Sequence, residues 1–329
     1  MYINVHISLK YYLNVSFSVS YGGTIVKWGI TFGYAPRVSQ PLHRLDYHLK
    51  FKKFPFTQSP VEVFSKIYPH YEYVYILESV EGPGRLARYS FIGFNPRQVL
   101  KVKNGDVNIL DINGECVQGK SSDPLLTVKE IAENHPVSYA GLRFVGGAVG
   151  YISYDAIRYF EKLPNCSPDD LHFPDVEMGF FEDGVVFDHK EKRAFYYYLN
   201  EDRTTELKQL ISGKSDFDAL SFTQPKVNTS KENFEKSIMK AKEYIASGDI
   251  LQAVISKRYD FRIKGDLINF YRALRKINPS PYMYFLKMDN RRIVGSSPEM
   301  LVRVDNGVIE TFPIAGTRPR AKKRRENIT

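Results

Sequence analysis

Two cysteines in 329 residues, Cys116 and Cys166, cannot build a disulfide framework, and with no CxxC pair and no close histidine partner they do not describe a zinc site. Such usage fits a reducing, cytoplasmic setting. Apolar runs long enough to cross a membrane, roughly 18 residues, are missing. The first twenty residues also lack the unbroken apolar core of a secretory leader, since Ile3, Val5, Ile7 and Leu9 alternate with polar neighbours. The seven histidines, His6, His43, His48, His70, His135, His172 and His189, are scattered without metal-ligand spacing and read as surface or satisfied core residues. There is no GxSxG elbow, no Cys-His pair, no GxGxxG and no P-loop lysine, so hydrolase and nucleotide-binding chemistry have no support.

The net charge of +9 is a weaker pointer to nucleic acid than it looks. Arg318, Arg320, Lys322, Lys323, Arg324 and Arg325 crowd the last dozen positions and read as a solvated tail. No platform of interleaved aromatic and basic residues accompanies them, which excludes a recognisable nucleic-acid surface.

What the chain does hold is aromatic bulk: 23 Tyr and 22 Phe argue for much β-structure around large buried rings. Its length suits two ordinary domains or one large one. Alternation of apolar and polar residues patterns positions 2–20 for strand. Ser59-Pro60-Val61-Glu62 carries a cap, a proline suited to the first helical position and a capping-box glutamate, so a short helix is expected over 60–68 with Val63, Phe64 and Ile67 inward. Short apolar runs from 73 to 110, punctuated at Glu81-Gly82-Pro83-Gly84, Asn95-Pro96 and Asn104-Gly105, read as an antiparallel meander. The glycine-rich stretch 146–155 is expected to be a core strand running into a helix.

Residues 201–229 are polar and read as a linker. Ser230 then caps an amphipathic helix, with Phe234, Ile238, Ala241 and Ile245 on one face and Gly248 as its stop. Beyond it are expected a strand over 250–259, a helix over 266–276 and strands near 283–288, 291–295, 300–304 and 308–312, with turns at Asp289-Asn290 and Asn306-Gly307. Strand runs broken by occasional helices define an α+β class, with antiparallel β-sheets packed as a sandwich and helices on the outside.

Two segments stand out chemically. Asn278-Pro279-Ser280-Pro281-Tyr282-Met283 is stiffened by two prolines that leave carbonyls without ladder partners; it reads either as a helix stop before a strand or as a preformed contact surface for a small polar ligand. In the second, Phe312-Pro313-Ile314-Ala315-Gly316-Thr317, a strand runs into a Gly-Thr step that is either a plain turn or an anion-binding amide and hydroxyl.

These segments occur in order with Ile76-Leu77-Glu78-Ser79, the 146–155 stretch, Gly248-Asp249-Ile250-Leu251-Gln252 and Ser296-Ser297-Pro298-Glu299, and together they resemble the large subunit (component I) of anthranilate synthase, in the chorismate-utilising family. The resemblance covers residues 55–320. By it, 1–54 is an extension, 55–200 the N-terminal region of that subunit, 201–229 the linker and 230–329 the start of the chorismate-binding catalytic region. Aminodeoxychorismate synthase component I, the nearest alternative, typically carries a lysine nucleophile where this chain has Ala315, and alanine forms no covalent adduct.

The resemblance implies a tryptophan feedback site at Glu78, Ser79, Asn278, Pro279, Ser280, Pro281, Tyr282 and Met283. An ammonium group needs carboxylate and carbonyl acceptors there, and an indole needs a flat apolar wall. It further implies that Gly316 and Thr317 contact chorismate, that Glu299 is a cleft carboxylate and that Thr317 shares in catalysis, although Glu299 also reads as a plain charge after a turn proline. Mg²⁺ as cofactor, a glutamine amidotransferase subunit as ammonia donor and a second large subunit as possible partner follow by the same resemblance. The pattern is left soon after Arg320, so a truncated second half is expected, without the family's metal ligands and with uncovered apolar faces. A tryptophan-binding remnant without catalysis is the alternative of a different class. The purified chain is expected to form no anthranilate from chorismate, ammonia and Mg²⁺ in a fluorescence assay; measurable turnover would contradict this.

Overall fold

The computed structural model describes residues 15–21, 24–30, 49–80, 88–133, 142, 144–164, 168–214, 216–305 and 308–314. In chain order the first half runs through β1 (Val15–Tyr21), β2 (Thr24–Ile30), β3 (Lys50–Phe54), α1 (Pro60–Ile67), β4 (Tyr73–Glu78), β5 (Tyr89–Phe94), β6 (Gln98–Lys103), β7 (Asp106–Asp111), β8 (Cys116–Lys120) and α2 (Pro124–Glu133). It continues through β9 (Gly147–Ile152), β10 (Val176–Phe181), β11 (Asp183–Asp188), β12 (Arg193–Tyr198) and α3 (Thr204–Ser212). The remainder holds the two-residue strands β13 (Ser221–Phe222) and β14 (Lys226–Val227), α4 (Lys231–Ala246), β15 (Tyr259–Asp260), β16 (Ile263–Lys264), α5 (Leu267–Ile277), β17 (Tyr282–Met288), β18 (Arg291–Ser297), β19 (Arg303–Asp305) and β20 (Val308–Glu310).

The fold is α+β and antiparallel, with two main sheets. A seven-stranded sheet has the order β18-β17-β4-β5-β11-β12-β3, and a five-stranded sheet the order β8-β7-β6-β10-β9. They pack face to face through Tyr73, Tyr75, Leu286 and Met288 from one and Val99, Val149 and Phe181 from the other. On its outer face the larger sheet is covered by α1, α3 and α5 through Phe64, Ile67, Leu207, Ile211, Ile268 and Tyr271. Val128 and Ile131 of α2 cover the smaller one.

Local chemistry explains how each layer seats. Ser59 and Glu62 form the full capping box, Glu62 Oε2 accepting from the Ser59 backbone N–H at 2.7 Å, and Val63, Phe64 and Ile67 point inward. In the larger sheet three tyrosines lie across glycines on the neighbouring strand: Tyr75 opposite Gly93, Tyr197 opposite Gly184 and Tyr284 opposite Gly295. Each ring occupies the space a Cβ would need, so the glycine is fixed by the tyrosine that covers it. Gly150 is likewise bare because a Cβ there would strike the Glu177 carbonyl on β10.

Several expectations are corrected. The run 73–110 is not one meander: β4 and β5 belong to the seven-stranded sheet, β6 and β7 to the five-stranded one. The chain crosses between them at Asn95, whose φ of 52° breaks the ladder just before Pro96. Within the polar stretch 201–229 lies α3, which docks although only Leu207 and Ile211 are buried. Its hold is electrostatic at the start, where Arg203 Nη1 meets Asp183 Oδ2 at 2.6 Å and the Arg203 N–H donates to Tyr196 Oη at 3.0 Å. The 146–155 stretch ends in a short 3-10 turn at Tyr154–Tyr159 rather than an α-helix.

Ser230 caps α4 as read, yet the apolar face stays open, with Ile238 37% and Ile245 45% exposed, because no described element lies against it. The strand expected over 250–259 shrinks to Tyr259–Asp260, and Leu251 is 96% exposed; among the described residues that segment finds no sheet edge to join. Of the hairpin turns, Asn306-Gly307 lies outside the described residues, as does most of the N-terminal alternation before Val15.

The two sheets are also joined by a buried ionic cluster. Glu177 on β10, fully buried, takes Arg291 of β18 in a fork at 2.9 and 2.6 Å and the Tyr151 hydroxyl at 2.9 Å. Nearby, Lys101 bridges Glu177 at 3.8 Å and Asp289 at 3.2 Å. Removing one member of such a pair leaves a charge without compensation, a loss of about 3–5 kcal/mol. Arg291→Ala is therefore expected to lower unfolding free energy by about that amount in urea titrations, and a loss under about 1 kcal/mol would show that the cluster does not tie the sheets.

Candidate functional site

Strand β4 pairs with β17 so that Glu78 stands opposite Met283, and with β5 so that Glu78 stands opposite Ser90. A glutamate is thus the last residue of a central strand, 5% exposed, at the sheet end where the chain leaves α5 for β17. Burial of this kind needs partners, and α5 supplies them. The Tyr271 hydroxyl donates to Glu78 Oε2 at 2.8 Å, Arg275 Nε lies 2.8 Å from the same oxygen, and Arg275 Nη2 donates to Oε1 at 3.2 Å. Burial pushes the Glu78 carboxyl above its ordinary pKa; Arg275 and Tyr271 oppose that rise without cancelling it.

The turn between α5 and β17 closes over this cluster. Asn278 caps α5, its N–H bonding to the Leu274 carbonyl at 2.9 Å, and its own carbonyl accepts from Ser296 Oγ at 2.6 Å. Ser79 Oγ donates to the Pro281 carbonyl at 2.7 Å, and the Val80 N–H donates to the Ser280 carbonyl at 3.1 Å. The prolines leave these carbonyls free for side-chain and loop donors. Ser280 is 5% exposed and its hydroxyl has no hydrogen-bond partner among the described residues. Met283 is buried, and Tyr282 is partly so, its hydroxyl pKa raised by burial. Glu78, Ser79, Ser280, Pro281 and Met283 thereby come together at one end of the sheet through two hydrogen-bonded crossings and one strand pair, while Asn278 is held to Ser296 of β18.

Glu299 belongs to a neighbouring but separate set of contacts. Two residues past Ser297, which pairs with Tyr282, it is exposed and its Oε1 accepts the Ile314 N–H at 3.0 Å. Gly316 and Thr317 lie outside the described residues. Among the described residues no three His, Cys, Asp or Glu side chains gather as metal ligands. No described helix is long and apolar enough to cross a membrane.

With this geometry in hand, the chain can be placed. The profile of the chorismate binding enzyme family matches residues 72–329, and the chain belongs to that family. More narrowly, it is similar to anthranilate synthase component 1 of Methanothermobacter thermautotrophicus, 40% identical over 82% of this chain and 57% of the relative. The same protein of Acetivibrio thermocellus is 38% identical over 82% of this chain and 59% of the relative. The crystal structure of anthranilate synthase component I from Streptococcus pneumoniae TIGR4 superposes with a TM-score of 0.53 at 30% identity, covering 70% of this chain and 54% of that one. The chain thus spans less than two thirds of the length of these relatives.

Tyr271, Arg275 and Ser90 were not singled out by the sequence, whereas His189 was read as a surface or satisfied core histidine. Tyr271 and Arg275 are one turn apart on α5, a spacing that puts both on one helix face, and that was the available signal. His189 is a satisfied, half-buried histidine, its Nε2 2.8 Å from Ser90 Oγ. Burial holds its pKa below 6.5; Asp188 opposes that and the positive charge of Arg275 adds to it. Asp188 is itself engaged by Arg88 at 3.1 and 2.9 Å.

Because the folded pKa of His189 is depressed, the neutral ring contributes stability above the unfolded value of 6.5 and loses it as pH falls through the lower folded value. Urea midpoints are expected to fall more steeply between about pH 7 and pH 5 for the wild type than for His189→Gln. Parallel pH profiles would remove His189 from the acid sensitivity of the fold.

Proposed function

We propose that the protein is an anthranilate synthase large subunit, acting on chorismate and ammonia to give anthranilate and pyruvate, and that the part described here carries its tryptophan-sensing site. The observation that carries this reading is the Glu78 cradle: a buried carboxylate, an unbonded Ser280 hydroxyl and a proline-fixed turn over one sheet end. A buried carboxylate and polar acceptors beside Pro281, Tyr282 and Met283 suit an ammonium group joined to a flat apolar ring. Similarity to proteins named anthranilate synthase component 1 supports the substrate. Ala315 supports it over aminodeoxychorismate synthase, because without a lysine nucleophile the ring must be aminated by ammonia directly.

On this reading a glutamine amidotransferase subunit delivers the ammonia and a second large subunit is a possible partner, in the cytoplasm. Inhibition follows if tryptophan binds one arrangement of α5 and β17 more tightly than another, since β17 leads through its hairpin into β18 and on to Glu299.

A ligand that binds only the folded state at a hundredfold excess over its Kd stabilises by about 2.7 kcal/mol. L-Tryptophan at saturating concentration is therefore expected to raise the Tm by several degrees, and L-phenylalanine by less than about one. An unchanged Tm with tryptophan would sink the sensing site.

A further inference from the structure

Helix α4 carries an apolar stripe that no described element covers. It is 16 residues long, about 24 Å, and none of its residues is buried. Its start is fixed by Ser230, whose Oγ accepts from the Asn233 N–H at 3.2 Å. Phe234, Ile238, Ala241 and Ile245 follow one another at steps of four, three and four, the alternation that sets one seam of a helix against a second helix. Ile238 and Ile245 are exposed, and so are Met239 and Tyr244 beside them.

The residues bordering the seam say what fits it. Glu235 and Lys242 each follow a seam residue by one position, so they lie along the same side of the stripe, seven residues apart. Glu235 has Lys231 of its own helix at 3.8 Å, a weak exposed pair, and no described carboxylate lies within ion-pair distance of Lys242. The stripe is therefore complementary to itself when reversed. We infer that α4 is a self-association surface, on which a second copy of this chain lays its own α4 antiparallel to the first. Resting on the second-large-subunit part of the reading above, this gives that partner a surface, and it is independent of the tryptophan site.

In the antiparallel crossing Phe234 lies over Ile245 of the partner subunit, and Ile238 over Ala241 of the partner subunit, large against small in the central layers. Glu235 then meets Lys242 of the partner subunit, and the two-fold axis repeats the pair. The helix dipoles also oppose. A parallel crossing would stack Ala241 on its own copy, leave a gap there and face Lys242 with Ser237 of the partner subunit, without an ion pair. Because α4 is already formed and capped in each chain, association bears no cost of helix nucleation. A seam of four residues per copy belongs to the weak class of interfaces, below about 1,200 Å², with a Kd on the order of 10 μM.

Sedimentation velocity of the whole chain over a concentration series tests this, using Glu235→Lys, Lys242→Glu and an equimolar mixture of the two variants. Both positions are exposed on the helix, so the fold is left intact. The wild type is expected to pass from monomer to dimer. Each variant alone sets like charges together twice across the axis and is expected to weaken the dimer about tenfold. The mixture restores both pairs, one as in the wild type and one with its signs exchanged, and is expected to dimerise within about threefold of the wild type. Ile238→Asp is expected to stay monomeric. A wild type that is monomeric at about twenty times that Kd would overturn both the α4 surface and the second large subunit as partner. A dimer indifferent to Ile238→Asp and to the charge reversals, or reversals that the mixture does not rescue, would overturn the antiparallel α4 surface and leave the second subunit standing.

Discussion

The antiparallel pairing of β4 with β17 is the contact on which the rest depends. It joins residues 73–78 to residues 283–288 across some two hundred positions of chain, in a register that sets Glu78 against Met283. Closing so long a loop costs conformational entropy that only an extensive interface offsets. Here that interface has two faces. Phe285 and Ile76 are buried under α1 and α5, while Leu286, Tyr75 and Met288 pack on the second sheet. Everything that characterises the candidate site lies at one end of this pair: the Glu78 carboxylate, the proline turn that enters β17 and the helix that precedes it.

Buried acids held by arginines recur at the joints of the fold. Glu177 is taken by Arg291, Asp188 by Arg88 and Asp183 by Arg203, each a charge-assisted contact between separate elements. These three acids carry additional hydrogen bonds from tyrosine hydroxyls or backbone amides, which offset part of the cost of burying a carboxyl group. Glu78 follows the same plan with Tyr271 and Arg275. It differs in its place at the end of β4, near the turn whose Ser280 hydroxyl has no hydrogen-bond partner among the described residues.

Local signals in the sequence were reliable where the structure is local. The Ser59 and Glu62 capping box, the Ser230 cap and the hairpin at Asp289-Asn290 were readable because each depends on a few adjacent residues. So was the likeness carried by 76–79 and 278–283, whose order along the chain marks the family. What escaped was tertiary. Helix α3 looks like linker because two apolar residues suffice once Arg203 finds Asp183. The division of 73–110 between two sheets turns on one left-handed asparagine. Tyr271 and Arg275 acquire meaning only when β4 lies beside β17, and no periodicity in α5 announces that. Conversely, the apolar stripe of α4 predicted a helix correctly but not its exposure, since a stripe specifies a face and not what covers it.

The central claim is that tryptophan binds across the junction of β4, the 278–283 turn and α5. Hydrogen exchange followed by mass spectrometry, with and without L-tryptophan, tests it most directly. The account predicts slowed exchange together in peptides covering 76–80 and 271–284, with β7 and β8 unchanged, because the ligand would bridge two segments that meet only through the β4–β17 pair. Protection in just one of those segments, or centred on the five-stranded sheet, would contradict it.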